Sequence, residues 1–224
     1  SDANIIIVGP PRSGKTTLLS VLIGVIGSDE RVMVLEPLPE VNASGVPFER
    51  LVCAQGDPAP VLGAALRRSP GRLVLSDLAD RTGGGILLRA FESMRRGSLA
   101  TLTAGTPTDA LWRLVDQGSG AGGDAVSILQ SRVSNSVHLI LGMSEIDGTP
   151  CLTSLAEILP YAGGGIDLLE LVRFEGISDR KRYWRLMTRS SPLMDLLLDR
   201  GIELQVGMTL LGPVEEAVEA EGSG

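Results

Sequence analysis

Aromatic residues make up only 3% of this 224-residue chain, so its core has to be built from Leu, Val, Ile and Ala. Lysine is nearly missing. Of 20 basic residues only Lys15 and Lys181 are lysines, so arginine use is a background bias and a lysine is the more telling residue. Histidine occurs once, at His138, and cysteine twice, at Cys53 and Cys151. The two cysteines are far apart and lack metal-ligand spacing, so they read as reduced core thiols of a cytosolic protein. No apolar run reaches the roughly 18 residues that a membrane span needs, and no signal peptide is visible. Excess positive charge is missing too: the formal net charge is −7, which argues against a nucleic-acid partner.

What is present is an alternation of short apolar runs and helical patterns. Asn4–Val8 reads as a buried strand, and a helix begins near Lys15 with Leu18, Leu19, Leu22 and Ile26 at helical spacing. Arg31–Leu35 reads as a second strand, and the Pro- and Gly-containing stretch after it as a loop. Further strands are expected at Arg72–Leu75, Ser98–Thr103, Val137–Met143, Leu152–Ile158, Leu168–Phe174 and Tyr183–Met187. Helices are expected at Pro58–Arg68, Ile86–Arg95, Pro107–Asp116, Ala125–Ser134 and Pro192–Arg200, with a flexible loop at Gly118–Gly123 and a disordered acidic tail from about Glu215. The fold class that follows is α/β, a mostly parallel sheet flanked by helices on both faces. Because Ser1-Asp2-Ala3 runs straight into a strand, the chain is expected to be one domain of a longer protein, with an N-terminal partner outside it.

Residues 9–16 read Gly9-Pro10-Pro11-Arg12-Ser13-Gly14-Lys15-Thr16 and are followed by Thr17. They satisfy G-x-x-x-x-G-K-[ST] in the context the motif requires, after a buried strand and before a helix. Glycines let the backbone turn so that successive N–H groups point at phosphate oxygens, and the helix N-terminus adds partial positive charge. Lys15 is expected on the β- and γ-phosphates and Thr16 on Mg²⁺. Arg12 reads equally well as a phosphate or partner contact and as a solvated loop residue.

Such a loop needs acids at neighbouring strand ends. Asp77 closes Arg72-Leu73-Val74-Leu75-Ser76-Asp77, a Walker B-like run, and is expected to hold Mg²⁺ or polarise the attacking water. Glu36 closes Val32-Met33-Val34-Leu35 and is the candidate general base. A solvated carboxylate at a strand end is the competing reading for both. His138 reads as a structural strand residue, and Trp112, Tyr183 and Trp184 as packing residues.

Several ordered segments together resemble one family. Asp29–Glu36 is similar to an acidic box after the first helix, and Ala64–Leu75 to the approach to a Walker B strand. Gly97–Ala104 is similar to the box that normally contains a histidine, and Thr106–Leu111 to the helix start after it. Leu171–Phe174 and Gly201–Leu204 are similar to closing segments. The chain thus resembles, from about Asn4 to Leu204, the CpaF-type ATPases of Tad pili within the type II/type IV secretion ATPase superfamily. The resemblance implies a RecA-like P-loop domain over 1–159, a family-specific extension over 160–212 and a tail over 213–224. It implies ATP and Mg²⁺ as cofactors and a hexameric ring in the cytoplasm at the inner face of the membrane. There the ring would drive a membrane platform protein, with no nucleic-acid partner.

The departures from the family pattern lie in the catalytic shell. Asp77 stands where the family has Glu, Ser76 where it has Gly, and Ala79-Asp80 where it has Arg-Gly. Thr103 replaces the usual His, Met94-Arg95-Arg96 a second His-containing stretch, and Pro37 the acid after Glu36. A carboxylate one methylene shorter retreats by about 1.5 Å, and misplacement by about 1 Å can cost on the order of 10²-fold in rate. Two readings therefore stand: a working motor ATPase, and a nucleotide-binding ring subunit or regulator with impaired hydrolysis. A small-molecule kinase would need an Arg-rich lid, and no such segment is evident.

Overall fold

The computed structural model describes residues 2–53, 57–78, 84–94, 97–119, 125–178, 181–188, 190–199 and 210–211. The strands are β1 Ile5–Gly9, β2 Val32–Glu36, β3 Phe48–Val52, β4 Arg72–Leu75, β5 Leu99–Thr103, β6 Leu139–Ile146, β7 Thr149–Ile158, β8 Leu168–Ser178, β9 Lys181–Leu186 and the two-residue β10 Leu210–Leu211. The helices are α1 Lys15–Gly24, α2 Ala59–Arg67, α3 Gly84–Ser93, α4 Pro107–Ser119, α5 Val126–Ser136 and α6 Pro192–Asp199. All ten strands lie in one sheet, in the order β10-β9-β8-β7-β6-β1-β5-β4-β2-β3.

From β3 to β6 every pairing is parallel. Of these, β1, β2, β4 and β5 are short, apolar runs buried on both faces, and their side chains alternate between two cores. Ile6, Val8, Met33, Leu35, Leu73, Leu75, Ala100 and Leu102 point to one face. They meet Leu62 and Ala65 of α2, Leu87 and Phe91 of α3, Leu111 and Leu114 of α4, and Leu129 and Val133 of α5. Ile7, Val32, Val34, Val74 and Leu99 point to the other face, against Leu19 and Ile23 of α1 and Val41 and Val46 of the following loop. The expected α/β architecture, a mostly parallel sheet flanked by helices on both faces, is therefore present.

Beyond β6 the sheet continues as an antiparallel meander through β7, β8 and β9. Asp147 and Gly148 both have positive φ (50° and 69°) between the paired residues Ile146 and Thr149, the geometry of a tight two-residue hairpin turn. Trp184 packs edge-on against Phe174 with ring centroids 5.6 Å apart, and its Nε1–H donates to the Leu152 carbonyl at 2.7 Å.

Two sequence expectations change. The stretch after Pro47 contains strand β3, which reads as loop because it is an exposed edge rich in charge. Trp112 is not a packing residue: it is 58% exposed. Helix α4 turns Ala110, Leu111, Leu114 and Val115 into the core, and position 112 falls on the outer side of that stripe. Both cysteines are buried and free, and burial raises both thiol pKa values. The tail, the closing segment 201–204, residues 79–80, 95–96 and most of the glycine-rich loop lie outside the described residues.

Candidate functional site

Parallel strands bring their carboxyl ends to one edge of the sheet, and β1, β2, β4 and β5 deliver Gly9, Glu36, Asp77 and Thr103 there. A cavity of about 600 Å³ opens at this edge. It is lined by Pro11, Arg12, Gly14, Lys15, Thr16 and Thr17 from the loop and first turn of α1, and by Pro37, Glu40, Asp77, Thr103 and Pro150 around them.

The loop's form follows from where it must pass. Gly14 has φ 89°, and a Cβ on it would sit 2.7 Å from the Pro150 Cβ. A Cβ on Gly9 would sit 2.4 Å from the Met143 carbonyl oxygen. Glycine is required at both points, one by the left-handed conformation and both by the β6–β7 hairpin packed alongside. Arg12 also takes a positive φ, 66°, at the exposed crest. Helix α1 starts at Lys15 with no acid in its first turn, so the helix itself supplies no counter-charge to the positive end of its dipole.

Lys15 is 6% exposed, and its Nζ donates to the carbonyls of Gly9 at 3.0 Å and Pro10 at 2.9 Å. The ammonium is thereby folded over the loop whose amides would meet an anion. Ser13 Oγ is buried and has no hydrogen-bond partner among the described residues. A buried hydroxyl of this kind inside a glycine-rich turn is a group awaiting an acceptor or donor. The loop thus fits a chain of phosphates, with Gly9, Pro10 and Ser13 behind the lining and the other loop residues on it.

Asp77 lies one residue beyond Ser76, between the buried Ser76 and Leu78, with φ 52°. Its backbone N–H donates to Thr101 Oγ1 at 2.8 Å, and the Thr101 hydroxyl donates to Asp77 Oδ1 at 3.2 Å. Thr16 is half-buried on the cavity wall. Among the described residues no group of three or more His, Cys, Asp or Glu is placed to hold a metal ion. A hydroxyl and a carboxylate on a phosphate-binding cavity still suit Mg²⁺, which takes one or two protein oxygens and completes its shell with phosphate and water.

Glu36 is placed differently from Asp77. It is 1% exposed and does not line the cavity. Its Oε2 accepts the backbone N–H groups of Glu40 at 3.0 Å and Val41 at 2.9 Å, and its Oε1 lies 2.6 Å from Arg50 Nε. Arg50 in turn donates to the Val41 carbonyl and lies over the Phe48 ring, 5.3 Å from its centroid. The carboxylate therefore closes the loop after β2 upon itself, and it is Glu40, a residue the sequence reading passed over, that this loop places on the cavity wall. Thr103 lines the cavity, and its carbonyl accepts from Arg113.

His138 stands at the opposite end of the sheet, just before β6, where its Nδ1 accepts the Asn4 backbone N–H at 3.0 Å. Burial lowers its pKa, and the nearby Glu157 carboxylate acts in the other direction. It is far from the phosphate loop along β1, as a structural residue should be.

Residues 1–146 match the type II/IV secretion system protein family. The VirB11 type IV secretion protein of Bartonella henselae is 30% identical over 155 residues, covering 65% of this chain and 43% of the relative. The PtlH type IV secretion protein of Bordetella pertussis is 33% identical over 121 residues, covering 49% and 35%. The chain spans less than half the length of these curated relatives. Among solved structures, the VirB11 ATPase of Brucella suis in complex with sulphate superposes with a TM-score of 0.59 at 22% identity, over 75% of this chain and 47% of the other. The pilus retraction motor PilT with bound ADP superposes with a TM-score of 0.53 at 18% identity, over 90% and 52%. At such identities the two superpositions show the fold. The family match ends at β6, so β7 to β9 lie beyond it.

Proposed function

This chain belongs to the type II/IV secretion system protein family, and we propose that it binds ATP with Mg²⁺ and hydrolyses it as the motor domain of a pilus-assembly or secretion ATPase. The observation that carries this is the loop Gly9–Thr16 facing Asp77 across one cavity, with Lys15 folded over the loop and no acid in the first turn of α1. The relatives support it, since VirB11 and PilT are an ATPase and a motor whose structures hold a sulphate and ADP. Within the family we assign the chain to the CpaF-type ATPases of Tad pili, on the segment resemblances set out above. The expected setting is a cytoplasmic homo-oligomer, a hexameric ring against an inner-membrane platform protein. Among the described residues no helix is long and apolar enough to cross a membrane. We take residues 1–159 as the ATPase core and 160–212 as its family-specific extension.

In this reading backbone amides of the loop hold the phosphates and Lys15 neutralises charge that grows between the β- and γ-phosphates. Thr16 and Asp77 would hold Mg²⁺, which supplies charge neutralisation on the phosphates. Asp77 also orients the attacking water. Thr103 and Glu40 line the same cavity.

A second reading, nucleotide binding with slow turnover, draws on Glu36. Its carboxylate is committed to two amides and Arg50, which leaves Asp77 as the strand-end acid on the cavity. Phosphate release from Mg²⁺-ATP separates the two. The motor reading expects release by the wild type and only background from Lys15→Ala. Tight ATP binding with release no faster than Lys15→Ala selects the second reading, and a wild type that binds no ATP overturns both.

A further inference from the structure

Thr101 has no role in the reading above, yet it is the side chain that touches Asp77 twice. It sits in the middle of β5, wholly buried, with its backbone paired to Ile7 of β1. A threonine hydroxyl can accept and donate at once. Here it accepts from the Asp77 backbone N–H at 2.8 Å and donates to Asp77 Oδ1 at 3.2 Å. One buried group therefore fixes both the main chain and the carboxylate of the same residue.

That double contact coincides with an unusual backbone. Asp77 has φ 52°, a left-handed conformation that few non-glycine residues adopt and that Asp tolerates better than most. The chain leaves β4 at Leu75, makes this turn, and buries Leu78 directly after it. Without a partner for its amide, the turn would lose the bond that ties it to β5. Without a donor on Oδ1, the carboxylate would be free to rotate about χ1 and χ2.

We propose that Thr101 is a positioning residue for the nucleotide site. It holds Asp77 in its left-handed turn with Oδ1 facing the sheet, so that Oδ2, which takes no hydrogen bond among the described residues, is presented to the metal-nucleotide complex. This rests on the nucleotide-binding reading of the cavity. Thr101 itself touches neither phosphate nor metal, because it is buried behind Asp77 and does not line the cavity.

The test compares wild type with Thr101→Val, which keeps the shape and removes the hydroxyl, and Thr101→Ser, which keeps the hydroxyl. Asp77→Asn and Lys15→Ala serve as references. The readout is affinity for a fluorescent ATP analogue with EDTA and with Mg²⁺, alongside the urea midpoint of each variant. For Thr101→Val we expect metal-free affinity within about twofold of wild type and an affinity gain from Mg²⁺ that shrinks about tenfold, the scale of one hydrogen bond to a charged group. Thr101→Ser should recover most of that gain, and Asp77→Asn added to Thr101→Val should remove little more. The proposal fails if Thr101→Val keeps the full Mg²⁺ gain. It fails equally if affinity drops alike with and without Mg²⁺ in step with a lower midpoint, the mark of a purely structural residue. A wild type whose affinity ignores Mg²⁺ overturns the roles of both Asp77 and Thr101 while leaving phosphate binding intact. The nucleotide reading fails on its own terms if Lys15→Ala binds as tightly as wild type.

Discussion

Replacing Glu36 by Ala is expected to weaken folding by about 3–5 kcal/mol, and the figure can be built from its contacts. The carboxylate is 1% exposed and accepts two backbone N–H groups through Oε2 while Arg50 Nε approaches Oε1 at 2.6 Å. Truncation strands the Val41 amide, which is buried and has no water to turn to, at about 1–3 kcal/mol. The Glu40 amide belongs to an exposed residue and can be hydrated, so it adds less. Arg50 keeps 35% of its side chain exposed, so it relaxes to solvent and the pair itself counts for about 1 kcal/mol. The cavity left by the lost methylenes adds the remainder. Arg50→Met should cost less, about 1–3 kcal/mol, because the stranded carboxylate keeps both amides. Glu36→Gln keeps an amide acceptor and should fall in the same range. Urea unfolding followed by far-UV circular dichroism gives the three values, and the double variant gives the coupling between Glu36 and Arg50. If Glu36→Ala lies within about 0.5 kcal/mol of wild type, the carboxylate is not closing the loop and the geometry described here is wrong.

Three further outcomes follow from other parts of the molecule. Gly14→Ala meets a left-handed backbone and the Pro150 ring at once, so titration with a fluorescent ATP analogue should show affinity reduced by more than about tenfold with the fold retained. Asp77→Glu carries its carboxylate about 1.5 Å farther toward the cavity, so phosphate release should rise. The same change places a less suitable residue at φ 52° and should lower the urea-derived stability by about 0.5–1 kcal/mol. Flat turnover in that variant would remove carboxylate reach as the cause of slow hydrolysis. His138 has a folded-state pKa below its ordinary value of about 6.5 because of burial, so the unfolded chain binds the proton more readily. Its contribution to stability is complete above about pH 6.5 and is lost as pH falls from there toward the folded pKa. Urea midpoints measured from pH 7.5 to 5 should fall less steeply in His138→Gln than in wild type.

The two halves of the site differ in how far they can be read from residue order, and the reason is geometric. The proposed phosphate loop is eight consecutive residues, Gly9–Thr16, between a strand and a helix whose own patterns are plain, so local chemistry is enough to propose it. The acidic half is assembled from the ends of β2, β4 and β5, and only the register of those strands says which side chain faces which. Glu36 and Asp77 look alike in sequence, each an acid ending an apolar run. They differ because Glu36 is met by Arg50 from β3, an exposed edge strand whose charged residues hide it from pattern reading. The strand that is hardest to see in the sequence is thus also the one that draws Glu36 away from the cavity lining. Thr101 escapes notice for a related reason: it lies in an apolar strand, and its partner is 24 residues away. The Asp147-Gly148 turn is the opposite case, a local signal that was there to be used, and it seats Pro150 against Gly14. If Thr101 positions Asp77 as proposed, the worth of a strand-end carboxylate in this cavity depends on the buried hydroxyl behind it, which accepts from the Asp77 amide and donates to Oδ1.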